Sequence, residues 1–212
     1  MEAFVKQVVI GAMVLGLLAG LAGCASQGEA VPINLALKPS ADQAGTVSSS
    51  TVDVVVTSFG DDRSDRTKLG VHQSLWGTTE PLMLKNGTVG DVTAKALADY
   101  LARKGWRARY ASAGTGLKGG EVVISGKVLE SSVDAHGTVG STDIMAKNKI
   151  VVHAKNQSDG SSITDTVSHN GTYSVFWYGP EDAEEILSDV MERNFDKFVS
   201  QTKFDGTALR FK

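Results

Sequence analysis

Residues 163–178 read ITDTVSHNGTYSVFWY, and this stretch decides the fold because its side chains alternate in character. One face carries Val167, Tyr173, Val175 and Trp177, and the other carries Thr166, Ser168, Asn170, Thr172 and Ser174. A period of two residues predicts a β-strand with one face on a core and the other in water. By the same alternation Trp177 is expected to face the core, with Phe176 and Tyr178 on the opposite side.

The segment that follows predicts an amphipathic helix. Pro180 suits the first helical position, and four acidic residues between Glu181 and Glu185 favour the positive end of a helix dipole. The apolar residues recur at helical spacing and are Ala183, Ile186, Leu187, Val190, Met191, Phe195, Phe198 and Val199. A strand and a helix that each bury one face predict helices packed on one side of a sheet.

Outward from this pair, the sequence predicts a second helix and further strands. Thr88 is the expected N-cap of a helix that ends at Gly105. Strands are predicted at 31–38, where Pro32 indicates an edge strand, and at 52–59, 106–111, 121–133 and 143–155. The predicted fold is a two-layer α+β sandwich, with a mostly antiparallel sheet of about five to six strands packed by two amphipathic helices. Residues 60–87 are expected to form a long connection that is either functional or made of irregular extended pieces.

The N-terminal segment is an uncharged run of 16 residues, Val8 to Gly23, followed by Cys24. A spanning helix needs about 20 apolar residues, so this shorter run predicts a cleavable signal peptide over 1–23, with an uncleaved anchor as the alternative. Cys24 is the only cysteine of the chain. The sequence Leu21-Ala22-Gly23-Cys24 resembles the lipobox of bacterial lipoproteins, which implies lipid attachment at Cys24. Residues 24–30 are then a lipidated tether, and 31–212 a single periplasmic α+β domain.

The lipobox resemblance also implies a location. A lipoprotein cysteine carries at least two acyl chains, and two chains are enough for stable attachment to a membrane. Asp after the cysteine favours retention at the inner membrane in the families that this segment resembles, whereas this chain has Ala25. The expected location is therefore the outer membrane, with the domain facing the periplasm.

Composition and motif spacing favour a binding role over catalysis. The net charge of −3 gives no basic excess for nucleic acid. A GxGxxG pattern at 114–119 precedes a predicted strand rather than a helix, so no nucleotide cofactor is expected. The histidines lack metal-ligand spacing, and no serine lies in a G-x-S-x-G elbow. We therefore predict no catalytic residue, cofactor or metal, and a hydrolase is the remaining enzymatic alternative.

Two groups of residues are candidates for a partner surface. Asp61, Asp62 and Arg63 belong to the densest charge cluster, whose ordinary interpretation is a solvated corner with local ion pairs. Trp76, Phe176 and Tyr178 are aromatic residues in polar surroundings, as is typical of contact surfaces. For Phe176 and Tyr178 the alternative is that the C-terminal tail covers them.

Four further features of the sequence belong together: the lipobox at Cys24, Ile33-Asn34-Leu35, Ser58-Phe59-Gly60-Asp61-Asp62-Arg63 followed by Leu69-Gly70, and a helix that ends in Lys104-Gly105-Trp106. In these features the chain resembles the YajG family of uncharacterised bacterial lipoproteins. The resemblance implies an α+β lipoprotein of the outer membrane and offers no catalytic residues. The expected function is non-enzymatic binding or scaffolding of an unidentified envelope protein. The alternative is binding of a lipid, a glycan or a peptidoglycan fragment, with residues 60–87 as a lid.

Overall fold

The computed structural model describes residues 28–35, 51–112 and 122–212. Cys24, the signal segment and the glycine-rich loop at 114–119 lie outside the described residues. Eleven strands and two helices make up the described part of the chain. The strands are β1 (Val31–Ile33), β2 (Asp53–Thr57), β3 (Gly60–Asp61), β4 (Gly70–Gln73), β5 (Thr79–Leu84), β6 (Arg107–Ala111), β7 (Val122–Thr138), β8 (Ser141–Asn156), β9 (Ser162–Val175), β10 (Thr202–Asp205) and β11 (Ala208–Phe211). The helices are α1 (Val89–Arg103) and α2 (Pro180–Gln201).

The centre of the fold is an antiparallel meander of three long strands, β7, β8 and β9. These three strands correspond to the three long strands that the sequence predicts. The edge of β7 that faces away from β8 pairs in turn with β2, β3 and β4, and all three run parallel to β7. Beyond β2 lies β6, which is also parallel, and beyond β4 lie β5 and then β1. β1 is an edge strand, as Pro32 indicates.

The predicted fold class is right in its coarse form and wrong about the sheet, which has nine strands and mixed directions. The connection from β2 to β6 contains β3, β4, β5 and helix α1, and a long crossover of this kind lets the two strands pair in parallel. Residues 60–87, expected to be one long connection, contain β3, β4 and β5. These strands are only two to six residues long, too short to show a clear period, and β3 and β4 join the sheet by pairing with the distant strand β7.

A bulge in β7 explains how one strand serves three partners. The register between β7 and β8 shifts between Val128 and Glu130. An extra residue at a bulge bends a strand and increases its twist. The part of β7 before the bulge pairs with β2 and β3, and the part after it pairs with β4.

Both helices begin where the sequence predicts and lie on one face of the sheet. The Thr88 hydroxyl accepts a hydrogen bond from the Asp91 backbone N–H and caps α1. Pro180 is the first residue of α2. The rings of Tyr100 on α1 and Phe195 on α2 are in contact, with centroids 5.6 Å apart, within one continuous buried core. On the opposite face the alternate residues of β9 from Ser162 to Ser174 are exposed, which gives the predicted wet side. On the core face Val167 is buried as predicted, whereas Tyr173, which was also expected to face the core, is 54% exposed near the end of the strand.

Candidate functional site

Three chain segments meet at one end of the sheet. The first is the β4–β5 turn at 74–78, because Gln73 of β4 pairs with His136 near the end of β7. The second is the turn between β7 and β8 at 139–140. The third is the segment 176–178 that follows β9, because Val175 pairs with Thr142 at the start of β8. The first two turns touch: a Cβ added at Gly137 would lie 2.7 Å from the backbone nitrogen of Leu75.

These segments expose large apolar side chains. The exposed fractions are 48% for Leu75, 90% for Trp76, 89% for Val139, 70% for Phe176 and 83% for Trp177. We call these five residues the apolar tip. Phe176 and Trp177 pack edge to face, with ring centroids 5.2 Å apart. Soluble surfaces seldom group so many exposed apolar side chains unless they contact something.

The expectation that Trp177 faces the core is wrong. β9 ends at Val175, two residues before Trp177, so the strand alternation on which the expectation rested no longer applies there. The tip thus contains Trp76 and Phe176, which the sequence analysis selected, together with Leu75, Val139 and Trp177, which it did not. The absence of charge from the segments Leu75-Trp76-Gly77 and Val139-Gly140 was the available signal.

Tyr178 supports the tip from behind. Its ring stacks on the His72 imidazole, with centroids 4.2 Å apart, and the His72 Nδ1 shares a hydrogen bond of 2.9 Å with Glu80. Burial, and to a smaller extent the nearby carboxylates of Asp182 and Glu80, raise the pKa of Tyr178 to about 12. The hydroxyl has no hydrogen-bond partner among the described residues. Tyr178 therefore ties the segment after β9 to β4 and holds the tip residues in place.

The Asp61–Arg63 corner is a separate feature, roughly 30 Å along β7 from the tip by strand rise. The buried Arg63 guanidinium donates to both oxygens of Asp61, at 2.9 and 3.0 Å, and to the backbone oxygens of Lys68 and Ser131. Burial by itself would raise the pKa of the Asp61 carboxyl, but the hydrogen bonds and charge of Arg63 outweigh it and lower that pKa. Asp61 and Arg63 thus close the corner internally, whereas Asp62 is exposed and pairs with Lys127 at 2.8 Å.

Two shallow depressions lie beside this corner, with volumes of about 250 and 270 Å³. Arg63, Lys68 and Leu69 line both of them. Both are open to solvent. The strands β3, β4 and β5 belong to the sheet, so residues 60–87 do not form the lid that the ligand-binding hypothesis required.

Three histidines of the described part have ordinary partners: Glu80 for His72, Gln73 for His136 and Thr164 for His153. Within residues 28–35, 51–112 and 122–212 no group of three or more His, Cys, Asp or Glu side chains could hold a metal ion. Over the same residues, no helix is both long and apolar enough to span a membrane.

Gly28, at the start of the described residues, lies at the same end of the sheet as the tip. The Gly28 backbone N–H donates to the Thr79 carbonyl oxygen at 2.8 Å, directly after the β4–β5 turn that carries Trp76. β1 then runs parallel to β5, so the chain proceeds away from the tip. The chain that arrives from Cys24 therefore enters the fold beside the apolar tip.

No family model matches the sequence, and no curated protein matches it. The fold is similar to that of protein XCC0632 from Xanthomonas campestris, a DUF330 protein, with a TM-score of 0.54, 9% identity, and coverage of 80% of this chain and 93% of that chain. At this identity the likeness shows the fold alone.

Two further solved structures are more distant. Lipoprotein GNA1162 from Neisseria meningitidis gives a TM-score of 0.38 at 10% identity, over 70% of this chain and 99% of that chain. PelC from Paraburkholderia phytofirmans, solved as a dodecamer, gives 0.39 at 17% identity, over 70% of this chain and 86% of that chain. TM-scores this low do not establish a common fold.

Proposed function

We propose that this protein is a YajG-like lipoprotein of the bacterial envelope, attached through Cys24 to the outer membrane and facing the periplasm. It acts by binding an envelope partner and not by catalysis. The lipobox supports the anchor, and Ala25 supports the outer membrane. The observation that carries the proposal of membrane attachment is the apolar tip, an exposed apolar surface at the end where the chain from Cys24 joins the fold.

Labelling of growing cells with radioactive or alkyne-bearing palmitate tests the anchor. We expect the wild-type protein and a matched Ser26→Ala variant to incorporate palmitate and to fractionate with the outer membrane. Cys24→Ala is expected to incorporate none, because the thiol that carries the lipid is absent. An unlabelled wild-type protein, or a labelled Cys24→Ala variant, would contradict lipid attachment at this residue.

The partner surface that we favour is the charged corner, because it lies away from the tip and next to the two depressions. The exposed Asp62 and Arg66 carry opposite charges there, and their side chains are 4.0 Å apart. A photoreactive amino acid at position 66 is expected to crosslink the same envelope protein in repeated experiments. The control is the same amino acid at Asp99, which is exposed on α1. Adducts that are absent at 66, or identical at 66 and 99, would contradict a partner site at the corner.

Ligand binding is the second candidate function, and the depressions beside Arg63 are the observation in its favour. A volume of about 250 Å³ lies just below the usual range for small-molecule sites. If it is correct, soluble peptidoglycan fragments raise the melting temperature of the purified protein, because binding to the folded state stabilises it. An unchanged melting temperature at saturating fragment concentration would remove this candidate.

A further inference from the structure

We propose that the apolar tip inserts into the lipid headgroup region of the same bilayer that holds Cys24, so that the domain rests on the membrane by this end of its sheet. The inference rests on the proposed lipid anchor. It adds a second, non-covalent contact and fixes the orientation of the domain.

The first argument is reach. Gly28 is the fourth residue after Cys24, and four fully extended residues span at most about 14 Å. Gly28 is hydrogen-bonded to Thr79, next to the turn that carries Trp76. A lipid on Cys24 therefore holds Gly28 within about 14 Å of the anchoring cysteine, whatever path the chain takes, and the turn that carries Trp76 lies next to the residue that Gly28 contacts. The opposite end of the sheet, where β7 begins, is about 50 Å further away.

The second argument is the chemistry of the side chains. Trp is enriched at membrane interfaces because its ring is both apolar and able to donate a hydrogen bond at the headgroup level. The tip presents two tryptophans and a phenylalanine, with two aliphatic side chains beside them. All five point away from the protein core at the end nearest the anchor.

The third argument is charge. The three segments of the tip, SLWGT at 74–78, TVGS at 138–141 and FWYG at 176–179, contain no charged residue. A surface that enters the interface has to avoid buried charges. The nearest charged residues along the chain include Glu80, Asp143, Glu181 and Asp182, all acidic. Anionic headgroups would repel these acidic residues, so the lipid surface that we propose is zwitterionic.

The protein supplies its own probes for the test. Trp76 and Trp177 lie in the tip, whereas Trp106 is buried against Phe204 at the far end of the fold. The acylated protein is reconstituted into vesicles of phosphatidylethanolamine and phosphatidylcholine, with and without bromine on the acyl chains. Each of two single variants, Trp177→Phe and Trp76→Phe, retains one tip tryptophan in addition to Trp106. The double variant reports Trp106 alone.

We expect the emission of Trp76 and of Trp177 to shift to shorter wavelength on vesicles and to be quenched by the brominated chains. Trp106 is expected to change in neither respect. Replacing part of the lipid by anionic phosphatidylglycerol should reduce the quenching. Tip tryptophans that remain as accessible to aqueous iodide on vesicles as in detergent-free soluble protein would overturn the proposal.

Flotation of the same samples separates this proposal from the anchor. Protein that floats with the vesicles but shows no tip quenching contradicts membrane insertion and leaves the anchor intact. Acylated protein that does not float contradicts both. Shielding of the tip without lipid, rising with protein concentration, would assign the tip to a second copy of the chain instead and would also overturn the proposal.

Discussion

At the residue scale, Arg63 of the charged corner is a side chain that the sequence selects for binding a partner and that the fold uses for an internal contact. The Arg63 guanidinium makes four hydrogen bonds inside the protein, two of them to the Asp61 carboxylate. Composition and spacing select Asp61, Asp62 and Arg63 as one group of candidates. In the structure Arg63 is buried and bound to Asp61, whereas Asp62 is exposed. Burial depends on the bulged strand β7 passing beneath the corner, and no local pattern in residues 61–63 encodes that approach.

Loss of Arg63 tests this internal role. Arg63→Ala is expected to lower the free energy of unfolding by about 2–3 kcal/mol, because the Asp61 carboxylate and two backbone oxygens lose their donor. The matched control is Arg66→Ala, whose side chain is 62% exposed and whose effect should stay within about 0.5 kcal/mol. Urea unfolding of the three proteins measures both values. Equal stabilities for the two variants would contradict a structural role for Arg63.

Asp91 gives a prediction about pH. Hydrogen bonds from the hydroxyls of Ser58, Thr88 and Tyr110 lower the pKa of its carboxyl, and together they join the start of α1 to β6 and to the end of β2. A carboxyl whose pKa is lower in the folded state adds stability above its unfolded pKa and loses it as the pH falls through the folded value. The unfolded value is near 3.8.

The wild-type protein is therefore expected to lose stability as the pH falls below about 4. Asp91→Asn should show a smaller loss over the same range, because its side chain does not titrate. Urea unfolding between neutral pH and pH 3 measures the slopes, with Asp99→Asn on the exposed face of the same helix as the control. An acid dependence of Asp91→Asn as steep as that of the wild type would contradict the assignment.

At the scale of elements, α1 is held to the sheet by a close approach of two backbones. A Cβ at Gly90 would lie 1.9 Å from the Phe59 carbonyl oxygen. The glycine lets the first turn of the helix pack directly on the end of β2. In the sequence this residue is only a small residue within a predicted helix, because a contact between residues 31 positions apart leaves no local signal.

Gly90→Ala should therefore destabilise the protein although alanine favours helices. We expect a loss of about 2–3 kcal/mol in the free energy of unfolding, since a backbone atom has to move to admit the methyl group. Gly60→Ala is the control, because the nearest atom to its Cβ would be 3.8 Å away. Thermal and urea unfolding compare the two. A Gly90→Ala protein as stable as Gly60→Ala would mean that the approach is looser than described.

The elements that the sequence predicts well are those with a local period. Both helices and the three long strands repeat a pattern over many residues, and their positions agree with the structure to within a few residues. The short strands β3 and β4 are different, because they join the sheet through parallel pairing with β7, which is distant in the sequence. The parallel pairings in the sheet come from such strands. Because no local pattern announces these pairings, the sequence predicts a mostly antiparallel sheet.

At the scale of the whole molecule, the tip arises from topology. Residues 75, 139 and 176 are far apart in sequence, and they come to one end because β4 runs parallel to β7 and β8 reverses between β7 and β9. The parallel pairing of β1 and β5 brings Gly28 to that end as well. The sequence predicts the aromatic residues and the anchor at Cys24 separately, and the fold places the aromatic residues at the same end as Gly28.

One measurement tests the central claim that this is a lipid-anchored domain with its tip in the membrane. Because Cys24 is the only cysteine, Val139→Cys adds a single second thiol. A nitroxide label on membrane-purified protein reports, by its collisions with oxygen and with a water-soluble nickel complex, how deeply each labelled thiol lies; Asp62→Cys is the exposed control. We predict that Cys24 takes no label because its sulfur carries lipid, that the label at 139 lies at the level of the lipid headgroups, and that the label at 62 lies in water. Labelling of Cys24 itself, or equal water exposure at 139 and 62, would contradict the account.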